Sequence, residues 1–417
     1  MMTLALVVIV VITALVFDFT NGFHDSSNAM ATSVATGAFK PRTAVAVAAV
    51  LNVVGACLST EVAKTISSGI VNDSLVTPTM VFAGLAGAII WNLVTWLLGL
   101  PSSSSHAMFG GLIGAVLVTA GHNGVHWGVI ISKIVLPALV APFVAGVAAA
   151  VSTWCAYRIT SHSVTHASRS FQMGQRVSAS MVALAHGTSD GQKTMGIITL
   201  VLVAAGMQEP GTHPHWWVIA LAGGAIGLGT YSGGWRIMRT MGSRLVKVEP
   251  PQGFCAETAS TVAILASSHL GFGLSTTHVC TGSILGSGVG RRTKVNWSIA
   301  GQMGSAWIAT LPCAAVVGAL AGWLAERGIV GMLIVSALLV AAAVAILAKA
   351  NRNKVHRDNV NDTPAPGAER TVEDVPAPAG TVAHEAELVL DDARERGAGL
   401  LPGQDRGQRL TGSGVGP

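Results

Sequence analysis

The sequence predicts an all-α, polytopic membrane protein, with about ten to twelve membrane-embedded segments arranged as two inverted repeats with broken helices. Three observations lead there. The chain is 51% hydrophobic and only 11% charged, whereas a water-soluble domain carries about 25% charged residues. Apolar runs at 2–17, 81–100, 134–151, 216–229 and 329–348 approach the ~20 residues needed to cross a hydrocarbon core. Two polar motifs each occur twice, in the same order along the chain.

The remaining composition agrees. Mean hydropathy is +0.57. The 49 glycines, many inside the apolar runs, would weaken soluble helices but let membrane helices approach closely. The first apolar run lacks a basic leader and a small-residue cleavage site, so it is expected to remain as a membrane helix. Cys57, Cys155, Cys255, Cys280 and Cys313 show no paired spacing and read as small core residues. A net charge of +5 requires no nucleic-acid partner, because the basic residues cluster between apolar runs.

Those clusters set the expected topology. Lys40/Arg42, Arg158 to Arg176, Arg236 to Lys247, Arg291 to Lys294 and Lys349 to Arg357 would lie on the cytoplasmic side. The connectors at 72–79, 121–128 and 206–215 hold no Lys or Arg and would lie outside. The division is a first transmembrane repeat at 1–157, a basic cytoplasmic connector at 158–175, and a second repeat with the final membrane helices at 176–350. A tail at 351–417 is rich in Pro, Gly, Ala and charge and is expected to be disordered, cytoplasmic and dispensable, with a short amphipathic piece at 381–396.

The repeats identify the candidate site. Gly22-Phe23-His24-Asp25-Ser26-Ser27-Asn28 aligns with Gly187-Thr188-Ser189-Asp190-Gly191-Gln192-Lys193. Ser103-Ser104-Ser105-His106, followed by Gly110 and Gly114, aligns with Ser275-Thr276-Thr277-His278, followed by Gly282 and Gly286. The first motif leads into a basic loop and its partner follows one, so the two repeats would cross in opposite senses. Inverted repeats with polar, glycine-interrupted helices at matching positions mark a transporter's binding site.

Each motif suggests its chemistry. Asp25 and Asp190 fall within apolar stretches, where a carboxylate costs on the order of 2.5–3.5 kcal/mol unless it faces a cavity or partner. The surrounding Gly, Ser and Asn residues suggest an unwound break, in which a coupling Na⁺ or H⁺ neutralises the acid. Asn21, Asn28, Ser26, Ser189 and Gln192 could add neutral oxygens there. The hydroxyl runs 102–105 and 275–277 open apolar helices, so hydroxyls and free backbone N–H groups converge where a helix dipole favours an anion. One such run reads as ordinary N-capping. Two equivalent runs, each followed by His, point to contact with a small tetrahedral oxyanion through Ser103, Ser104, Ser105, Ser275, Thr276 and Thr277. Lys193 would sense the substrate's charge or pair with a carboxylate, and Glu257 suits a cation or proton. His106 and His278 are either proton relays or packed histidines. His162, His166, His213 and His215 form no metal-ligand set, so no metal, cofactor or catalytic residue is expected.

These motifs resemble the inorganic phosphate transporter (PiT) family, in particular its bacterial low-affinity branch, over about residues 1–350. The family carries an aspartate signature twice, matched at Gly22 to Ala29 and at Gly187 to Lys193, and a Ser/Thr-His element matched at 103–106 and 275–278. The resemblance implies symport of phosphate with a cation by alternating access, and phosphate contact at both aspartate motifs (Asp25, Asn28, Asp190) and both hydroxyl elements. It also implies departures. His24 and Ser189 stand where the family usually has Asn, and Asn52 stands where sodium-coupled members have an acid, while Glu257 keeps its acid. The loss at Asn52 favours H⁺ over Na⁺, with a neutral metal–phosphate complex as another form of the cargo.

The expected function is therefore secondary import of inorganic phosphate across the plasma (inner) membrane, driven by a coupling cation. No ATP-binding loop is present, so an ion gradient must drive it. The expected partners are phosphate, the cation and the lipid bilayer, with a homo-oligomer allowed and no nucleic acid. The alternatives are a Na⁺-coupled phosphate or sulfate symporter, then an anion channel or membrane sensor.

Overall fold

The computed structural model describes residues 2–72, 74–160, 164–352 and 354–362. Residues 1–363 form one compact unit, and 364–417 lie outside the described residues.

The described residues are helical throughout, apart from turns and two isolated bridges. In order the helices are α1 (Met2–Ala35), α2 (Pro41–Ala56), α3 (Glu61–Gly69), α4 (Pro78–Leu98) and α5 (Ser104–Thr119). α6 (Trp127–Ile130) runs through a π-helical turn, Ile131–Val135, into α7 (Leu136–Ile159). The second half comprises α8 (Val164–Ala204), α9 (Trp216–Ser232), α10 (Trp235–Arg239), α11 (Pro250–His269), α12 (Thr276–Arg291), α13 (Trp297–Ala325) and α14 (Ile329–Arg352).

Local sequence sets the boundaries. Thr77 caps α4 by accepting from Met80 N–H, Pro78 opens the helix, and Gly99 closes it in the left-handed region at φ 66°. Ser103 and Ser275 cap α5 and α12 in the same way, each accepting from the N–H three residues on. Glu249 and Gln252 form a reciprocal capping box at α11.

Among the described residues, five helices are long and apolar enough to cross a membrane, or six if the bent pair α2 and α3, at 68°, is one span. That count falls below the ten to twelve embedded segments expected from sequence. The site-bearing helices α8, α11 and α12 carry polar residues that lower their hydropathy, and α5 is short. The outer faces of α7, α13 and α14 expose Phe143, Ile308 and Leu333, which suits contact with hydrocarbon. All five cysteines are unpaired, with Cys255 and Cys280 buried and Cys57 exposed.

The packing is reciprocal. α2 lies against α8 and α9 against α1, while α7 lies against α12 and α13 against α5. The repeated glycines sit at these crossings. Gly22 meets the Ile226 backbone and Gly187 meets that of Asn52. Gly114 lies against Ala315 and Gly286 against Gly146, so close that an added Cβ would fall onto backbone atoms. Overpacking of this kind costs about 1–3 kcal/mol. Gly286→Ala should therefore lower the thermal unfolding temperature of the detergent-solubilised chain. Gly128→Ala, whose Cβ would meet nothing within 4 Å, should not. Equal temperatures for the two variants would remove the close-approach account.

Two expectations need correction. The chain does not unwind at the aspartate motifs, because α1 and α8 run unbroken through Asp25 and Asp190. Glycine there serves helix crossings, and the i to i−4 ladder survives since its backbone groups need no other partners. The interruptions fall instead between α4 and α5, between α11 and α12, and at the bend between α2 and α3.

The second correction concerns the start of the tail. α14 continues to Arg352, and residues 354–362 fold back on the body. Val360 is buried, Asn359 O accepts from Arg239 Nη2 at 2.6 Å, and Asn361 Nδ2 donates to Val34 O at 3.3 Å. A composition averaged over the whole tail hides these few anchoring residues. The remainder, including 381–396, lies outside the described residues.

Candidate functional site

α1 and α8 carry the two aspartates to the centre, where the starts of α5 and α12 meet them. The expected phosphate contacts Asp25, Asn28, Ser103, Ser104, Ser105, Asp190, Ser275, Thr276 and Thr277 are all buried, none more than 5% exposed. The side chains of Asp25, Asn28, Ser105, Asp190, Thr276 and Thr277 are joined, with Lys193, into one network by hydrogen bonds.

Lys193 holds it together. Its Nζ donates to Asp190 Oδ1 at 2.6 Å, to Ser105 Oγ at 2.5 Å and to the Leu274 carbonyl at 2.8 Å. One ammonium thus ties α8 to both hydroxyl elements, and all three of its N–H groups are used. Thr276 Oγ1 donates to Asp190 Oδ2 at 3.2 Å, and Thr277 Oγ1 to Asp25 Oδ1 at 3.4 Å. Asn28 Nδ2 donates to Thr277 Oγ1 at 3.0 Å. The Ser104 hydroxyl and Asn28 Oδ1 are buried without a partner, which leaves polar capacity for a guest. Ser103 and Ser275 act as helix caps, so the simpler reading holds for these two hydroxyls.

Two histidines complete the centre. His24 Nδ1 donates to Asp25 Oδ1 at 2.6 Å, and its Nε2 lies 3.4 Å from both Thr95 Oγ1 and Ser102 Oγ. His186 Nε2 lies 3.3 Å from Asp190 Oδ2 and 3.9 Å from Asp25 Oδ2, bridging the two acids. Asp25, His186 and Asp190 bring ligand atoms within 4.8 Å of one another.

The expected coupling residues separate. Asn52 Nδ2 donates to Thr230 Oγ1 at 2.6 Å, which turns Oδ1 toward His186 Nδ1 at 3.1 Å. Asn52 therefore orients the bridging histidine. Gln192 Oε1 accepts from Val62 N–H at 2.7 Å and Nε2 donates to Thr188 O at 2.5 Å, so it caps the start of α3. Glu257 is held by a different set: Thr32 Oγ1 at 2.6 Å, Gln175 Nε2 at 3.0 Å and Ser178 Oγ at 2.5 Å. Asn21 Oδ1 is buried without a partner. The rings of His106 and His278 pack 4.9 Å apart, and His278 packs 4.2 Å from Trp307, the commoner fate of a buried histidine.

The sequence reading passed over two central residues. His186 precedes Asp190 by one helical turn and shares its face, a signal that was available. Asp18, fully buried, lies just beyond the first apolar run and two turns before Asp25.

Chemically, a Lys ammonium, hydroxyls at two helix starts and an amide surround a pair of acids. Donors now spent on the carboxylates could pass to an oxyanion, provided the acids are neutralised. Fold and site together define a multi-pass membrane transporter. The phosphate transporter family matches residues 21–318, and the chain belongs to that family. A Mycobacterium leprae protein named a probable low-affinity inorganic phosphate transporter is 52% identical over 364 residues, covering 86% of this chain and 88% of the relative. A Bacillus subtilis protein of the same name is 41% identical over 322 residues, covering 76% and 96%. A solved structure described as the sodium-dependent phosphate transporter superposes with a TM-score of 0.70 at 23% identity, covering 78% of this chain and 99% of that one, and so shares the fold. The relatives are named as transporters, in line with a non-enzymatic role.

Proposed function

We propose that the protein imports inorganic phosphate across the plasma membrane by symport with a cation, H⁺ in preference to Na⁺, through alternating access. The observation that carries this reading is the convergence of Lys193, Thr276 and Thr277 on Asp25 and Asp190, with Ser105 tied in through Lys193. A tetrahedral oxyanion can take over these donors, but its negative charge would lie against two carboxylates in a medium of low dielectric. An arriving cation removes that repulsion, so anion and cation favour each other's binding. This is the thermodynamic content of symport. The relatives' names support phosphate as the cargo. The reciprocal packing supports two inverted repeats that exchange position about the site, with the C-terminal tail cytoplasmic.

Radiolabelled phosphate uptake into proteoliposomes tests the reading. An inward proton gradient without sodium should drive accumulation that a protonophore abolishes. Excess arsenate, the nearest tetrahedral isostere, should compete strongly and sulfate weakly. Equal competition by sulfate would mean a broader oxyanion carrier, and full activity at clamped pH under a sodium gradient alone would replace H⁺ with Na⁺.

The Asp25–His186–Asp190 cluster favours a second form of cargo, a neutral metal–phosphate complex whose metal these side chains would touch. Uptake of divalent cation and phosphate in a fixed ratio would distinguish it from free phosphate.

A further inference from the structure

Asp18 has no role in the network just described. It lies midway along α1, is fully buried, and has no hydrogen-bond partner at either carboxylate oxygen. Beside it are Asn21, one turn on, and Thr194 of α8. Asn21 Oδ1 and Thr194 Oγ1 are likewise buried and without partners. The charged or titratable groups that face it are His186 and Asp190, both on α8. The unpaired Asp18 carboxylate thus lies between α1 and α8 beside the side chains of Asn21 and Thr194.

Buried polar atoms are rarely left unpaired, and an intramembrane acid usually marks an ion or proton path. The ligand atoms that Asp18 and Thr194 offer are all oxygen. That excludes soft and imidazole-seeking metals and suits a hard monovalent cation or a proton. A proton would let Asp18 donate to Asn21 Oδ1 and accept from the Thr194 hydroxyl. A sodium ion would draw on the Asp18 carboxylate and the Thr194 hydroxyl.

We propose that Asp18, Asn21 and Thr194 form a separate site for the coupling monovalent cation, H⁺ or Na⁺, next to the phosphate site but sharing no ligand with it. The inference rests on the symport reading above. Asp18 shares its helix with Asp25, and Thr194 follows Lys193 directly. A positive charge here offsets the field of Asp190 as the anion arrives, and the anion in turn holds the cation.

The full chain in proteoliposomes tests it with two measurements, exchange of labelled for unlabelled phosphate without gradients, and accumulation under an imposed H⁺ or Na⁺ gradient. In the wild type, each coupled proton should support about tenfold accumulation per unit of pH difference. Asp18→Asn imitates the neutralised acid, so exchange should persist while accumulation collapses to the equilibrium ratio under either gradient. Asp18→Glu should recover part of the accumulation. Accumulation by Asp18→Asn at the wild-type ratio overturns the site and leaves symport standing. Wild-type accumulation driven by sodium alone and lost in Asp18→Asn keeps the site and assigns it sodium. A wild type that exchanges phosphate but accumulates it under neither gradient overturns symport and site together. If Asp18→Asn does not reach the bilayer, Thr194→Val decides. It removes one oxygen, should shift half-maximal uptake to higher concentrations of the driving cation, and overturns the site if the dependence stays unchanged.

Discussion

Asp25→Asn should reach the membrane at wild-type abundance and fail to concentrate phosphate. The carboxylate has no fixed cation of its own. It accepts from His24 at 2.6 Å and from Thr277 at 3.4 Å, and its second oxygen stands 3.9 Å from His186. An amide of the same size keeps one acceptor for the His24 and Thr277 donors, and removing a mid-membrane charge does not penalise insertion. What disappears is the negative charge that makes an anion's arrival depend on a cation. Such coupling is typically worth about 1–3 kcal/mol, or 5- to 150-fold in affinity, and accumulation should fall by a factor in that range. Membrane abundance by immunoblot and gradient-driven uptake check the two halves of this statement. Wild-type accumulation in Asp25→Asn would make Asp25 structural.

Asp190→Asn should behave differently, because its partner is a fixed charge. Lys193, 1% exposed, would keep Ser105 and the Leu274 carbonyl but lose the one carboxylate that pairs with it among the described residues. Leaving one member of a buried ion pair unmatched costs about 3–5 kcal/mol, whereas replacing both members with apolar groups is often neutral. Asp190→Asn should therefore lower abundance and thermal stability as well as transport. Asp190→Asn combined with Lys193→Met should restore abundance and stability without restoring uptake. Equal stability of Asp190→Asn and wild type in detergent would mean that the pair does not support the closed site. The repeats are thus equivalent in sequence but not in what their acids do for the fold.

How far the sequence could be read depended on whether a signal was local. Helix class and the membrane setting follow from composition and apolar run length, both of which sum over neighbours. The pairing of Asp25 with Asp190 and of the two hydroxyl elements followed from repetition, and the structure brings these residues together. Whether glycine unwinds a helix or admits a neighbour depends on what lies opposite, and the chain alone does not show that. The same holds for Gln192, whose oxygen is taken by α3, and for Asn52, which is committed to Thr230 and His186. His186 was legible, one turn from Asp190 on the same face. Asp18 was harder to find. It has no counterpart in the repeated motifs, and only its unpaired oxygens single it out.

The crossed pairing of α2 with α8 and of α5 with α13 has a consequence for biosynthesis. Chains are made from the N-terminus, and early segments usually fold as they appear. Here α2 and α5 emerge with glycine-lined grooves whose occupants have not yet been translated. The first half must wait in the bilayer, unfinished, until α8 and α13 arrive to fill them. A ribosome stalled midway would leave a fragment with open helix faces and an Asp25 that lacks its Thr277 and His186 neighbours, a natural substrate for membrane quality control. Because each half supplies helices that the other packs against, the fold is completed only once the second half has been made.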